Sequence, residues 1–131
     1  MRPLDTAYMW DLVPVIAGYV PLTLFMAIVA MVAALTLGSA LAIVRVLRVP
    51  VLDRVVAVFI SFFRGTPLLV QLFLFYFGLP QIVPAMTGID GVTAAIIGLT
   101  LHFSAYMAES IRGAILGVDR SQWEAAASIG M

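Results

Sequence analysis

The sequence predicts an all-α membrane protein with three transmembrane helices and a short cytoplasmic helix near its end. Three observations carry this. Hydrophobic residues make up 63% of the 131 and charged residues only 11%, against about 45–50% and about 25% in soluble domains. Three apolar regions recur, each near the ~20 residues needed to cross the hydrocarbon core of a bilayer. The arginines cluster between the first two regions and after the third. A soluble chain of this length cannot bury so much apolar surface.

The first span is expected at about residues 20–44. Its centre, "LTLFMAIVAMVAALTLGSALAIV" over residues 22–44, carries no charge. Pro14 and Pro21 precede it, where a helix can begin, and Arg45 and Arg48 close it. The preceding "MRPLDTAYMWD" holds Asp5 and Asp11. It has neither the basic start nor the cleavage site of a secretory signal, so the run reads as a retained span.

The second apolar region is interrupted. "VVAVFISFF" leads into "RGTP" and then "LLVQLFLFYFGL". Arg64 is costly inside hydrocarbon and Pro67 lacks a backbone donor. The pattern predicts an interfacial segment over residues 51–63, a break, and a span over about 66–86 with Pro80 and Pro84 near its far end. The third span, "VTAAIIGLTLHFSAYMAESI", covers residues 92–111.

A short helix is expected over residues 121–130, "SQWEAAASIG". Ser121 and Glu124 fit the S-x-x-E capping box, in which each side chain accepts from the other residue's amide. Ala125, Ala126 and Ala127 favour helix, and Gly130 can take the left-handed backbone that ends one. Arg45, Arg48 and Arg54 lie in the first connection and Arg112 and Arg120 follow the third span. The positive-inside rule therefore puts residues 45–64 and 112–131 in the cytoplasm, and the N-terminus and residues 80–91 outside.

Several functions are disfavoured. The formal net charge is zero, so no basic field calls for nucleic acid. Without cysteine there is no disulfide or thiolate site, and a single histidine argues against a zinc centre. No G-x-x-x-x-G-K-[ST] phosphate loop is present. No nucleophile–base set marks an intramembrane enzyme.

The polar residues inside the apolar regions are the candidates for function. His102, Tyr106 and Glu109 share one helical face with Gly98 and Gly113. Such groups face protein or a water-filled path, since lipid cannot satisfy them. One reading is a stripe along a solute path. The other is that His102 bonds a neighbouring helix while Glu109 pairs with Arg112. Gln71, the strongly polar residue in "LLVQLFLFYF", is open to the same two readings. Gly113 and Gly117 form GxxxG beyond the expected membrane edge, where it carries little weight.

"EAAASIG", residues 124–130, resembles the Glu-Ala-Ala-x3-Gly signature of ABC importer permease subunits. "FRGTPLLVQLFLFYFGLP", residues 63–80, and "AYMAESIRGAILGVDRSQWEAA", residues 105–126, resemble the second span and the lead-in to the signature in permeases for polar amino acids. The first span, with "LTL" at 22–24 and Gly38, fits more loosely. The resemblance covers nearly the whole chain.

It implies a multi-pass subunit of the bacterial inner membrane that hydrolyses nothing and binds no cofactor. ATP and Mg would be used by a partner, an ATP-binding subunit on which the cytoplasmic coupling helix docks through Glu124, Ala125, Ala126 and Gly130. Other implied partners are a second permease subunit, identical or homologous, an extracytoplasmic solute-binding protein and the lipid bilayer. The implied substrate is a polar amino acid, with Gln71, His102, Tyr106 and Glu109 as candidates along its path. In the family the signature continues with Ile-x-Leu-Pro and further spans. The resemblance thus implies that residues 1–131 are one incomplete transmembrane domain, truncated within the coupling segment and not expected to transport alone. The alternative is a small structural or regulatory membrane protein without transport activity.

Overall fold

The computed structural model describes residues 6–130; the expectations for the residues before Thr6 and for Met131 lie outside them. The described chain is helical in six α segments. These are α1 (Thr6–Val46), α2 (Leu52–Gly65), α3 (Leu68–Phe73), α4 (Leu79–Ile82), α5 (Gly91–Leu116) and α6 (Arg120–Ser128). A π-helical turn, Leu74–Gly78, joins α3 to α4, and a 3₁₀ turn, Pro84–Met86, follows α4. Two helices, α1 and α5, are long and apolar enough to cross a membrane. A third crossing exists if Leu52–Gly65 and Leu68–Ile82, bent by 108° at their junction, count as one broken span.

α1 is longer than its sequence suggests. Pro14 and Pro21, expected ahead of the helix, lie inside its 41 residues. Each proline removes one amide and leaves a carbonyl one turn earlier without its partner. The helix nonetheless continues through both sites, as membrane helices do where neighbouring groups and local backbone adjustment satisfy the freed carbonyls. At 1.5 Å per residue α1 measures about 60 Å, twice the hydrocarbon thickness.

α1 and α5 pack closely because their facing side chains are small. Ala30, Ala34, Gly38 and Ala42 recur every fourth residue on α1, and all four are buried. On α5 the buried residues are Ala94, Gly98, Ser104, Ala105 and Ala108. A Cβ on Gly38 would stand 2.7 Å from Met107 Cβ and 2.9 Å from the Ser104 carbonyl oxygen. This is the close backbone approach by which small residues drive helix association in membranes.

The chain reverses between α1 and α2 in a strained turn. Leu52 donates to the Pro50 carbonyl at 2.8 Å, which forces Val51 to φ 68°, a γ-turn geometry rare for a β-branched residue. α2 then buries one face. Val56, Ile60 and Phe63, at helical spacing, join Phe75, Ala105 and Ala108 in one apolar cluster. The Phe63 and Phe75 rings stack 6.4 Å apart.

The expected span over 66–86 is not one regular helix. Leu68–Ile82 is about 22 Å long at 1.5 Å per residue, short of the ~30 Å core. Its π turn has a local cause. Pro80 has no amide for the Tyr76 carbonyl, and the preceding amide, of Leu79, bonds Leu74 O in the wider i+5 pattern. α5 begins at Asp90, whose carboxylate accepts from the Thr93 amide at 2.7 Å.

Candidate functional site

The break between α2 and α3 follows from "RGTP". In a continuous helix the amide of residue 67 would bond the Phe63 carbonyl, but Pro67 has none. The Gln71 side chain supplies the missing donor. Its Nε2 donates to Phe63 O at 3.0 Å, and also contacts Thr66 O at 3.1 Å and Thr66 Oγ1 at 2.6 Å. Two of these acceptors are carbonyls, which fixes the amide orientation. Gln71 Oε1 therefore accepts, and it lies 3.0 Å from His102 Nδ1. The His102 proton toward Gln71 must sit on Nδ1, leaving Nε2 as the free ring atom. Gln71 is 1% exposed, so this knot pins the break to α5 from inside the protein.

Gly98 lets α3 come close enough for that. A Cβ there would meet Leu72 Cδ2 at 2.7 Å and Phe75 Cδ2 at 3.3 Å. One turn beyond His102, Tyr106 faces the open side. The His102 and Tyr106 rings are 5.0 Å apart, and the Arg64 guanidinium lies 5.4 Å from the centre of the Tyr106 ring.

Glu109 belongs to a separate ionic cluster. Arg45 Nη1 donates to Asp53 Oδ1 at 2.8 Å, and Arg112 Nε donates to Glu109 Oε2 at 3.4 Å. Arg45 Nε is buried without a hydrogen-bond partner. Glu109 Oε1 stands 3.9 Å from it, near enough for charge attraction but too far for a hydrogen bond. The cluster ties the ends of α1 and α5 to the start of α2, so these three termini lie at one end of the protein. The Glu109–Arg112 contact is readable at three-residue spacing, whereas the partner sixty-odd residues away in α1 is not.

The terminal helix differs from its expected start. α6 runs Arg120–Ser128 with Asp119 at its N-cap and no side-chain capping bond. Ser121 therefore sits within the first turn, and the expected capping box does not form. Glu124 instead accepts from Arg120 Nε at 3.1 Å. Gly130 adopts φ 81°, the left-handed conformation expected of it. No residue of α6 is buried, and Trp123 and Ile129 stand 64% and 76% exposed. Ala125 and Ala126 lie on the same short helix, presented beyond the end of α5 by the three-residue link Gly117–Asp119.

The four expected path residues thus separate. Gln71 and His102 meet, Tyr106 stands beside them, and Glu109 joins the arginines. Arg64 beside Tyr106 and Arg45 beside Glu109 were not among the expected site residues. Among the described residues no three metal-binding side chains gather.

Comparison with known proteins places this arrangement. The family described as binding-protein-dependent transport system inner membrane component matches residues 34–131. The chain is 59% identical, over 97% of its length, to a probable amino-acid ABC transporter permease protein, PatM, of Vibrio harveyi, and covers 57% of that protein. It is 47% identical over its whole length to a probable amino-acid permease protein, YxeN, of Bacillus subtilis strain 168, covering 58% of it. It is 36% identical to the octopine transport system permease protein OccM of Rhizobium radiobacter, over 98% of this chain and 55% of that one. A solved structure described as a crystal structure of an amino acid ABC transporter with histidines superposes with a TM-score of 0.84 at 35% identity. That match covers 99% of this chain and 59% of the solved one. The chain therefore spans a little over half the length of these relatives.

Proposed function

This chain belongs to the family of binding-protein-dependent transport system inner membrane components, and from that premise we propose that it acts as the permease subunit of an ATP-driven importer of polar amino acids. The observation that carries the reading is α6, a helix with no buried residue that carries Glu124, Ala125 and Ala126 of the Glu-Ala-Ala-x3-Gly pattern, set just beyond the end of α5. Helices that bury nothing need a partner or water, and Trp123 and Ile129 favour a partner. That partner is the ATP-binding subunit, which also holds the ATP and Mg. A second permease subunit completes the path, and an extracytoplasmic binding protein delivers the amino acid.

The mechanism follows from how α6 is attached. A displacement of α6 by a closing ATPase pulls on the end of α5 through Gly117–Asp119. The Arg45–Asp53 pair joins α1 to α2, and the 3.9 Å approach of Arg45 to Glu109 joins α1 to α5 at that end, so the three move together. The small-residue seam between α1 and α5 resists their separation. Motion is then passed to the α2–α3 break, where Gln71 fixes the bend to α5.

Orientation follows from the arginines. The shared end of α1, α2 and α5 carries Arg45, Arg54 and Arg112, and the positive-inside rule supports a cytoplasmic position for it and α6. The turn Pro84–Met86 and Asp90 are then outside. Reconstitution of the full protein bearing this sequence, with its binding protein and ATPase, tests the function. Uptake of labelled amino acid that needs ATP supports it; ATP-independent uptake, or none with a correctly assembled complex, overturns it.

A further inference from the structure

We propose that Arg64, seated on Tyr106, is the binding site for the α-carboxylate of the transported amino acid. This rests on the importer reading above, and it names what part of the cargo this part of the protein recognises.

Among the described residues no carboxylate pairs with Arg64 and no acceptor hydrogen-bonds its guanidinium; its contact is the Tyr106 ring, 5.4 Å away. Arg45, Arg112 and Arg120 each have an acidic partner. Arg48 and Arg54, which have none, sit at the arginine-rich end, where water solvates them. Arg64 is elsewhere. Tyr106 stands six residues, about 9 Å at 1.5 Å per residue, along α5 from Arg112, toward the middle of a helix long enough to span. A guanidinium facing lipid there is costly, so such residues face a partner or a water-filled path.

The geometry leaves Arg64 ready for one kind of ligand. The Tyr106 ring attracts the guanidinium as a cation–π partner at 5.4 Å and takes none of its N–H donors in a hydrogen bond. Those donors form a planar fork that matches a carboxylate in two parallel hydrogen bonds. Both Arg64 and Tyr106 are solvent-exposed in the chain, so the fork is open. His102 Nε2, the ring atom that Gln71 does not engage, belongs to the same wall, with the His102 ring 5.0 Å from Tyr106. The wall is rigid because Gln71 is hydrogen-bonded both to the break that follows Arg64 and to His102. A polar amino acid carries one group that this fork fits in every member of the class, its α-carboxylate.

The test is chemical protection of Arg64. The full protein bearing this sequence, assembled with its partner subunits in zwitterionic nanodiscs, is treated with phenylglyoxal, and modification at Arg64 and Arg48 is read by peptide mass spectrometry. L-glutamine, L-arginine and L-cystine, each paired with its α-carboxamide, serve as probes. At least one acid is expected to slow modification at Arg64 and not at Arg48. Its carboxamide is expected to need about ten-fold or more higher concentration, the scale of a lost charged hydrogen bond. Tyr106→Leu is expected to abolish the protection, and Tyr106→Phe, which keeps the ring, to retain it.

The proposal fails if no acid protects Arg64, if acid and carboxamide protect equally, or if protection comes from phosphatidylglycerol nanodiscs without any acid. The last result would assign Arg64 to a lipid phosphate. ATP-driven uptake is measured on the same preparation. Uptake without protection overturns the carboxylate site alone, whereas protection without uptake overturns the importer reading instead.

Discussion

Gln71 and His102, thirty-one residues apart in the chain, meet at 3.0 Å between Oε1 and Nδ1. The same Gln71 side chain gives Phe63 O the donor that Pro67 cannot. One amide therefore both closes the end of α2 and ties the break to α5.

Replacing it exposes how much depends on it. Gln71→Leu leaves Phe63 O and the His102 Nδ1–H without partners in the interior. Each orphaned group costs about 1–3 kcal/mol, so the variant is expected to lose about 2 kcal/mol or more of unfolding free energy in detergent. His102→Leu, which orphans only Gln71 Oε1, is expected to lose less. Equal stability of Gln71→Leu and the parent would show that the knot is not what holds the bend.

The seam between α1 and α5 gives a second prediction. Gly38→Leu places its Cβ against Met107 Cβ and the Ser104 carbonyl, at 2.7 and 2.9 Å, and backbone cannot yield. The helices must separate, at a cost of about 1–3 kcal/mol, as for overpacked cores. Chemical denaturation in detergent measures it. An unchanged midpoint would mean that α1 and α5 do not meet at Gly38.

Asp90 supplies a pH dependence. The Thr93 amide that its carboxylate accepts from holds its pKa below its ordinary 3.8. A lowered folded pKa means that the stabilisation is complete above about 3.8 and is lost as pH falls through the lower folded value. The Thr93 amide resonance is expected to titrate as pH falls, with a midpoint under 3.8. A midpoint at or above 3.8 would deny the cap.

These features differ in how far the sequence exposed them. The break before α3 was legible because Arg64, Gly65 and Pro67 stand together in an otherwise apolar region. The spans of α1 and α5 were legible from run length. The extension of α1 through Pro14 and Pro21 was not, because a proline costs a helix locally and flanking residues decide whether it continues. The role of Gln71 needed the bend itself, although Pro67 four residues after Phe63 marked the carbonyl that lacks a donor. The small residues 30, 34, 38 and 42 repeat every fourth position, a signal of the α1–α5 seam that is present in the sequence. Ser121 and Glu124 fitted a capping pattern, but the N-cap of α6 is Asp119, and that two-residue shift of the cap leaves Glu124 to pair with Arg120 instead.

That shift changes what a substitution at Glu124 tests. The Arg120–Glu124 pair is exposed, and such pairs contribute about 0–1 kcal/mol. Glu124→Lys is therefore expected to leave membrane insertion intact and helix stability within about 1 kcal/mol. It should nonetheless abolish stimulation of the partner ATPase if, as proposed, the charge lies on the surface that docks. ATPase rate in the assembled complex, against complex recovery, separates the two. Normal stimulation at normal recovery would remove Glu124 from the docking surface.

The proposed docking of α6 on an ATP-binding subunit can be read in the membrane. The most direct measurement is site-directed cross-linking from α6 in inner-membrane vesicles containing the assembled complex. Ala126→Cys, paired with single cysteines across the surface of the ATP-binding subunit, is expected to form one specific disulfide whose yield changes when ATP is added. Thr93→Cys, at the other end of α5, is expected to form none. Cross-linking from position 93 but not 126, or no cross-link from 126 in a complex that still hydrolyses ATP, would contradict the account.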